Sequence, residues 1–235
     1  MFFTCTNKWI KNKQPCALCG TRAASHHGLC EDCHADLPWQ VAFCQQCALP
    51  LPVQYSPGLC SHCQQYPPAF DRTLAAFRYD FPLSQLLPNI KYQRRPEAIG
   101  WLGQVLAEYL RLHYEATAWP DALVPVPMHL WNETLRGFNQ SRLLADVLSR
   151  QLQLPLWHGL QKHRRTPHQA DLGLRQRQQN LAHAFRLTHT PPRHPAIIDD
   201  VMTTGATANS LAQLLKQAGA QQVDIWVLAR TPVVR

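Results

Sequence analysis

Cysteine is absent after residue 63 of this 235-residue chain. That absence confines the cysteine-dependent part of the molecule to the N-terminal quarter, which reads as a separate unit. Apolar runs are short as well: none approaches the ~20 residues a helical membrane span requires. The opening stretch, MFFTCTNKWIKNKQ, carries Lys8, Lys11 and Lys13 but no apolar h-region, so it is not an export signal. No internal repeat other than the cysteine pairs, and no long disordered tract, breaks the pattern. A reduced, cytoplasmic protein is expected, with a chain long enough to bury a genuine core.

What cysteine there is falls into a pattern. Eight of nine lie in Cys16-x-x-Cys19, Cys30-x-x-Cys33, Cys44-x-x-Cys47 and Cys60-x-x-Cys63. Each knuckle offers two thiolates to one metal and two knuckles complete a tetrahedron, so eight thiolates satisfy two structural Zn²⁺ with no open position for chemistry. A disulfide framework is the alternative, disfavoured by the repeated x-x spacing and the lack of an export signal. The spacings favour sequential pairing, Cys16, Cys19, Cys30 and Cys33 on one ion and Cys44, Cys47, Cys60 and Cys63 on the other. An interleaved cross-brace is the other arrangement. Cys5 is left over, and His34 or His62 is an alternative ligand to a thiolate.

Zinc also changes the charge. The formal +8 counts cysteine as neutral; eight thiolates and two Zn²⁺ bring it to about +4. The basicity is uneven: residues 1–70 carry four Lys/Arg against three Asp/Glu, and residues 71–235 nineteen against twelve. Lys162, Arg164, Arg165, Arg175, Arg177 and Arg186 share the 160–186 stretch with only Asp171, so a polyanion, single-stranded DNA in particular, would bind there.

Pro67-Pro68 marks a boundary near residues 68–72, giving a zinc module over 14–67 and a second domain over 72–235. In that domain TLAAFRYD, ALVPV and VDIWVLAR read as strands, and LSQLLPNIKY as a short helix interrupted by Pro88. Ile99, Leu102, Leu106, Leu110 and His113 recur at helical spacing, and so do Leu144, Val147, Leu148 and Leu152. Alternating strands and helices imply an α/β fold, a parallel sheet with flanking helices whose ligand binds beyond the carboxyl ends of the strands.

The sharpest motif is AIIDDVMTTGAT, residues 196–207. Ala196-Ile197-Ile198 reads as a buried strand, and Thr207 to Ala218 as a helix with Ala208, Leu211, Ala212, Leu215 and Ala218 inward and Gly219 at its C-cap. In such a strand–loop–helix, backbone N–H groups and the positive helix end converge on one spot that suits a phosphate, with Gly205 free to take unusual φ angles. Asp199 and Asp200 would repel that phosphate but suit vicinal hydroxyls or a hydrated Mg²⁺ beside it. A 5-phosphoribosyl group, most naturally phosphoribosyl pyrophosphate, meets all of these demands. An ordinary turn with an aspartate N-cap is the plain alternative, and it needs only one such residue. Arg136, beside flexible Gly137, is a second candidate for phosphate oxygens; a solvated helix-start arginine is its plain alternative.

IIDDVMTTGAT resembles the phosphoribosyl pyrophosphate loop of type I phosphoribosyltransferases. Together with LVPVPMHLWNETLRGFNQSRLLA (123–145), TPHQADLGLRQRQQNLAHAF (166–185) and the four cysteine knuckles, it resembles the ComF/GntX family, phosphoribosyltransferase-like proteins associated with bacterial DNA uptake and DNA utilisation. The resemblance implies a type I phosphoribosyltransferase fold preceded by a double zinc ribbon. It places Asp199, Asp200, Thr203, Thr204, Gly205, Ala206 and Thr207 around phosphoribosyl pyrophosphate with Mg²⁺, and Met128 and His129 in the loop that holds pyrophosphate. Lys91, Thr166, Gln169, Arg177 and Asn180 also stand at characteristic positions.

Three functions follow as expectations: a phosphoribosyl pyrophosphate-binding protein serving DNA uptake or DNA use, an adaptor that grips single-stranded DNA without turnover, and a nucleobase salvage phosphoribosyltransferase. A protein of the competence machinery is an expected partner. The resemblance also implies a hood segment that selects the acceptor base, and the segment between residues 72 and 120 is too generic in sequence to identify one.

Overall fold

A computed structural model describes residues 15–22, 26–93, 96–114, 119–129, 131, 133–134, 137–163 and 184–232. Arg136, Arg164, Arg165, Arg175 and Arg177, with Cys5, Thr166, Gln169 and Asn180, lie outside the described residues. The chain forms two compact units, Met1–Leu37 and Pro38–Arg235.

The first unit is the ribbon of Cys16, Cys19, Cys30 and Cys33. Its first knuckle is closed by the bonds from Cys16 N to the Thr21 carbonyl (2.8 Å) and from Gly20 N to the Cys16 carbonyl (2.9 Å). The second runs into helix α1 (Glu31–Ala35), capped by the Cys30 sulfur, which accepts from Cys33 N at 3.5 Å.

The second unit repeats the device. Cys60 caps helix α2 (Ser61–Gln65) by accepting from Cys63 N, and Cys44 accepts from Cys60 N at 3.3 Å. From there the chain enters β1 (Arg72–Arg78), α3 (Leu83–Gln93), α4 (Glu97–His113), β2 (Ala122–Pro125), α5 (Gln140–Leu152), the antiparallel pair β3 (Leu160–Lys162) and β4 (Phe185–Leu187), β5 (Pro195–Met202), α6 (Ala206–Gln217) and β6 (Asp224–Arg230). The main sheet has the order β1-β6-β5-β2 and every pairing in it is parallel. Residues 38–40 run along the outer edge of β1, bonded through Arg78 N to the Pro38 carbonyl and Gln40 N to the Ala76 carbonyl, so that edge is covered.

The fully buried β6 reads as an apolar run from Ile225 to Ala229, between Asp224 and Arg230, because both faces of a parallel sheet are covered. On one face Val124, Ile197, Ile225 and Val227 meet Ala208, Leu211, Ala212 and Leu215 of α6. Alternation places Leu74, Leu123, Ile198 and Trp226, all buried, on the other face. There α4 and α5 pack closely enough that a Cβ on Gly103 would come within 2.7 Å of Val147 Cγ1.

One expectation needs correction. Pro88 does not interrupt its helix: α3 runs unbroken from Leu83 to Gln93 with Pro88 inside it. The missing N–H forfeits a single intrahelical bond, and Leu83, Leu87 and Ile90 hold the helix down by burial. No helix of the described residues is long and apolar enough to cross a membrane.

Candidate functional site

The strand β5 runs two acidic residues past its apolar start and ends at Met202; Gly205, at φ +78, then starts α6. The left-handed backbone calls for glycine; a Cβ there would lie 2.6 Å from Met202 Cε, the far end of a flexible side chain that can swing aside. The Thr204 hydroxyl accepts from Ala206 N at 3.3 Å. A cavity of about 40 Å³ sits against this corner, lined by residues 201–208 with Val126, Ile197 and Asp199.

Asp199, Asp200, Thr203 and Thr207 also line a larger cavity of about 570 Å³ beyond the carboxyl ends of the strands, where doubly wound sheets place their ligands. Met128, Asn139, Gln140 and Ser141 come in from the loop after β2 and the start of α5. Tyr79, Leu87, Pro88 and Lys91 come from the end of β1 and from α3, Lys162 and Phe185 from the β3–β4 pair, and Thr231 from the end of β6.

The two carboxylates are held differently. Asp200, 8% exposed, pairs with Lys91, whose Nζ lies 2.7 Å from Oδ2. Asp199 accepts from the Ser141 hydroxyl at 2.8 Å and from Asp200 N at 2.9 Å. Burial, and then the neighbouring Asp200 charge, raise Asp199 to about 7 despite Ser141 and Lys91. Burial likewise lowers Lys162, against the pull of Asp199. Asn139 fixes the approach of α5: its side-chain oxygen caps Ser141 N (3.0 Å) while its amide donates to the Val126 carbonyl (3.0 Å).

The residues present fit a magnesium-bound polyanion. Asp199 and Asp200 offer the one or two carboxylates such an ion takes when it arrives with phosphates. Among the described residues, only the two cysteine sets bring three or more potential ligands together, so no protein cage for a dedicated ion stands here.

Those cysteine sets are Cys16, Cys19, Cys30 and Cys33, and Cys44, Cys47, Cys60 and Cys63, with sulfurs mutually within 4.8 Å. The pairing is sequential, not interleaved. Cys19–Cys30 and Cys47–Cys60 sulfur distances are both 3.7 Å, against an edge of about 3.8 Å for a tetrahedron with 2.3 Å Zn–S bonds. Without a cation four thiolates cannot coexist in the buried second set. Cys44 is lowered to about 4, chiefly by the bond from Cys47, while burial pushes Cys63 up to about 12. A divalent cation removes that conflict, so both sets are zinc-binding sites by geometry and donor chemistry.

Residues 13–64 match the double zinc ribbon domain family. The chain is 38% identical over 223 residues to the DNA utilization protein YhgH of Escherichia coli (strain K12), covering 92% of this chain and 96% of the relative. It is 32% identical over 227 residues to competence protein F of Haemophilus influenzae, again covering 92% and 96%. The chain belongs to the ComF family. Competence protein ComFC of Bacillus subtilis is a more distant ComF relative, 25% identical over 238 residues, 97% of this chain and 83% of that one. Among solved structures, UMP synthase of Leishmania donovani is similar at a TM-score of 0.36 and 20% identity, covering 60% of this chain and 24% of that one. A purine phosphoribosyltransferase from Pyrococcus horikoshii Ot3 gives 0.34 and 17%, covering 57% and 87%.

In this ComF protein the structure gathers most of the residues singled out in the sequence. Asp199, Asp200, Thr203, Thr207, Met128 and Lys91 share the large cavity, and Thr204, Gly205 and Ala206 the small one. His129 borders a neighbouring groove of about 500 Å³ with Arg142, Trp157, His158, His163 and Arg186. Lys162, grouped in sequence with the basic stretch, lines both groove and cavity. Sequence reasoning passed over Ser141, although NQS at the foot of an apolar helix is an N-cap signal of its own. It also passed over Tyr79 and Thr231, which carry no motif.

Proposed function

We propose that this chain binds phosphoribosyl pyrophosphate with Mg²⁺ and that this binding serves DNA uptake or the use of DNA as a nutrient. The observation that carries the reading is the shared cavity: Thr203 and Thr207 at the two ends of the strand–loop–helix corner, two carboxylates and the loop after β2 open on one space of about 570 Å³, and Thr204, Gly205 and Ala206 line the small cavity against the same corner. The N–H groups at the start of α6 suit the 5-phosphate. Asp199 and Asp200 suit the ribose hydroxyls and the hydrated ion, and Met128 lies where pyrophosphate would be held. Mg²⁺ would supply charge neutralisation for a departing pyrophosphate. The chain's own part is to fix the ribose and to present preorganised donors to its phosphates. The role in DNA use rests on the relatives, a DNA utilization protein and a competence protein.

Isothermal titration with phosphoribosyl pyrophosphate and Mg²⁺ tests the binding step: wild type gives heat, and the Asp199→Ala/Asp200→Ala double variant loses it. Equal heats from both would refute the assignment. Pyrophosphate release over a panel of nucleobases then separates salvage enzyme from binder.

A second reading rests on the neighbouring groove. Arg142, His158, Lys162, His163 and Arg186 stand there against Glu133, with Trp157 as a flat apolar wall. This chemistry suits single-stranded DNA. Binding through four to six phosphates would weaken by roughly 0.7 log unit per contact for each tenfold rise in salt; no gel shift at low salt would remove it.

A further inference from the structure

Arg230, the last residue of β6, is 5% exposed and has no part in the large cavity. Its guanidinium donates from Nε to the Cys47 carbonyl at 2.9 Å, and from one terminal nitrogen to the carbonyls of Met202 (3.1 Å), Thr203 and Thr231 (2.7 Å). One charged group thus joins a knuckle of the second zinc ribbon to the first residues of the 203–207 loop. We infer that Arg230 is a positioning residue that couples zinc occupancy of the second ribbon to the phosphate-gripping shape of that loop. The inference rests on the phosphoribosyl pyrophosphate reading for its ligand, but the mechanical coupling stands on its own.

The physical link is peptide planarity. In a trans peptide the C=O and the following N–H point in opposite directions. Holding the carbonyls of Met202 and Thr203 toward Arg230 therefore turns the N–H groups of Thr203 and Thr204 to the other side of the loop. Arg230 borders a separate cavity of about 330 Å³ with Cys47, Cys63 and Thr204, whereas Thr203 also lines the ligand cavity. The Cys47 end is set by the knuckle: Ala48, next after Cys47, is held at φ +53 and donates to the Cys44 carbonyl at 2.8 Å, closing the turn that carries both ligands. Two further ties run the same way. Asn209 of α6 accepts from Ala69 N at 2.7 Å, and Gln46 donates to the Phe70 carbonyl at 3.3 Å. The four thiols of this ribbon also share a buried cluster with Met202, Ala208 and Phe70. Nothing comparable is needed of the first ribbon, which belongs to the other compact unit and serves as an internal control.

Two measurements test this. In wild type, zinc release to a chromophoric chelator is followed with and without phosphoribosyl pyrophosphate and Mg²⁺. Because coupling is reciprocal in binding free energy, ligand tightens one zinc against the chelator at equilibrium by about fivefold or more and leaves the other unchanged. In Arg230→Lys, which keeps the charge but not the fork, that protection disappears while circular dichroism stays native. Hydrogen exchange needs no ligand: peptides covering 202–212 and 44–50 exchange faster in Arg230→Lys, and partial zinc removal reproduces the change. If wild type gives no heat with the ligand, the phosphoribosyl pyrophosphate reading fails and hydrogen exchange alone decides the coupling. If exchange over 202–212 is the same in wild type, Arg230→Lys and zinc-depleted protein, or if ligand protects both zincs equally, the coupling is overturned.

Discussion

Lys91 Nζ lies 2.7 Å from Asp200 Oδ2, and neither side chain is more than 28% exposed. The pair joins α3 to β5 across 109 residues of sequence, and both residues line the large cavity. Lys91→Met leaves a mostly buried carboxylate without its cation and should cost about 1–3 kcal/mol of stability. It should also raise Asp199 further, because the Lys91 charge is one of the influences holding it down. Thermal melts check the first effect. Lys91→Arg keeps the charge and should recover part of the loss.

Asp199 sets a pH dependence whose sign follows from its raised value of about 7. An unfolded aspartate titrates near 3.9, so between about pH 4 and 7 the native state holds the extra proton and stability falls as pH rises through that window. Asp199→Asn removes this slope and should make the apo protein more stable than wild type at pH 8, by about 2–4 °C per kcal/mol gained. Ligand binding should show the opposite trend in wild type, tightening from pH 6 to 8 as the carboxylate needed for the ion and the ribose ionises. Titrations in buffers of different ionisation enthalpy would detect the released proton, and Asp199→Asn should release none.

Gly205 stands at φ +78 with Met202 Cε 2.6 Å from any added Cβ. Gly205→Ala should therefore cost about 1–2 kcal/mol and weaken phosphoribosyl pyrophosphate binding. Calorimetry at matched folded fraction separates the two effects. A wild-type affinity in Gly205→Ala would show that the corner does not grip the ligand.

The strand–loop–helix at 196–218 was legible because its signals are local: a β-branched run, a glycine at a sharp corner, an apolar stripe and a C-cap glycine, found at φ +112. The cysteine sets were legible because knuckle spacing is local too, and short separations favoured the sequential pairing the structure shows. Pro88 misled because propensity is a weak prior where burial of Leu83, Leu87 and Ile90 dominates. Lys91 and Arg230 were opaque in role because their partners are brought close only by the fold. Asp200 lies far along the chain from Lys91, and Cys47 lies 183 residues from Arg230. Trp39 likewise packs on residues distant in sequence, Phe77 and Tyr109, at centroid distances of 4.9 and 6.4 Å.

Metal analysis should find two zinc ions per chain. Cys33→Ser should lose one and leave the melting of the larger unit unchanged, since that set lies in Met1–Leu37. Cys60→Ser should lose the other and lower the melting temperature, because Cys60 is only 5% exposed and belongs to the core that contains α6. Identical melts for the two variants would contradict this asymmetry.

At the far end of the sheet, Tyr114 OH donates to Asp224 Oδ2 at 2.5 Å and accepts from Trp226 Nε1 at 2.7 Å. Asp224, 1% exposed, also accepts from Gln222 at 3.2 Å and has His194 Nε2 at 3.1 Å. Tyr114→Phe strands a buried indole N–H and strips a buried carboxylate of its shortest bond, at a cost of about 2–4 kcal/mol. That corresponds to a fall in melting temperature of roughly 5–15 °C. Asp224 lies six strand residues, about 20 Å, from Arg230, so ligand affinity of the folded protein should stay at the wild-type value. A variant equally damaged in stability but altered in binding would mean that strain at the sheet's amino end travels along β6 into the loop, and Arg230 would then be the first place to look for its passage.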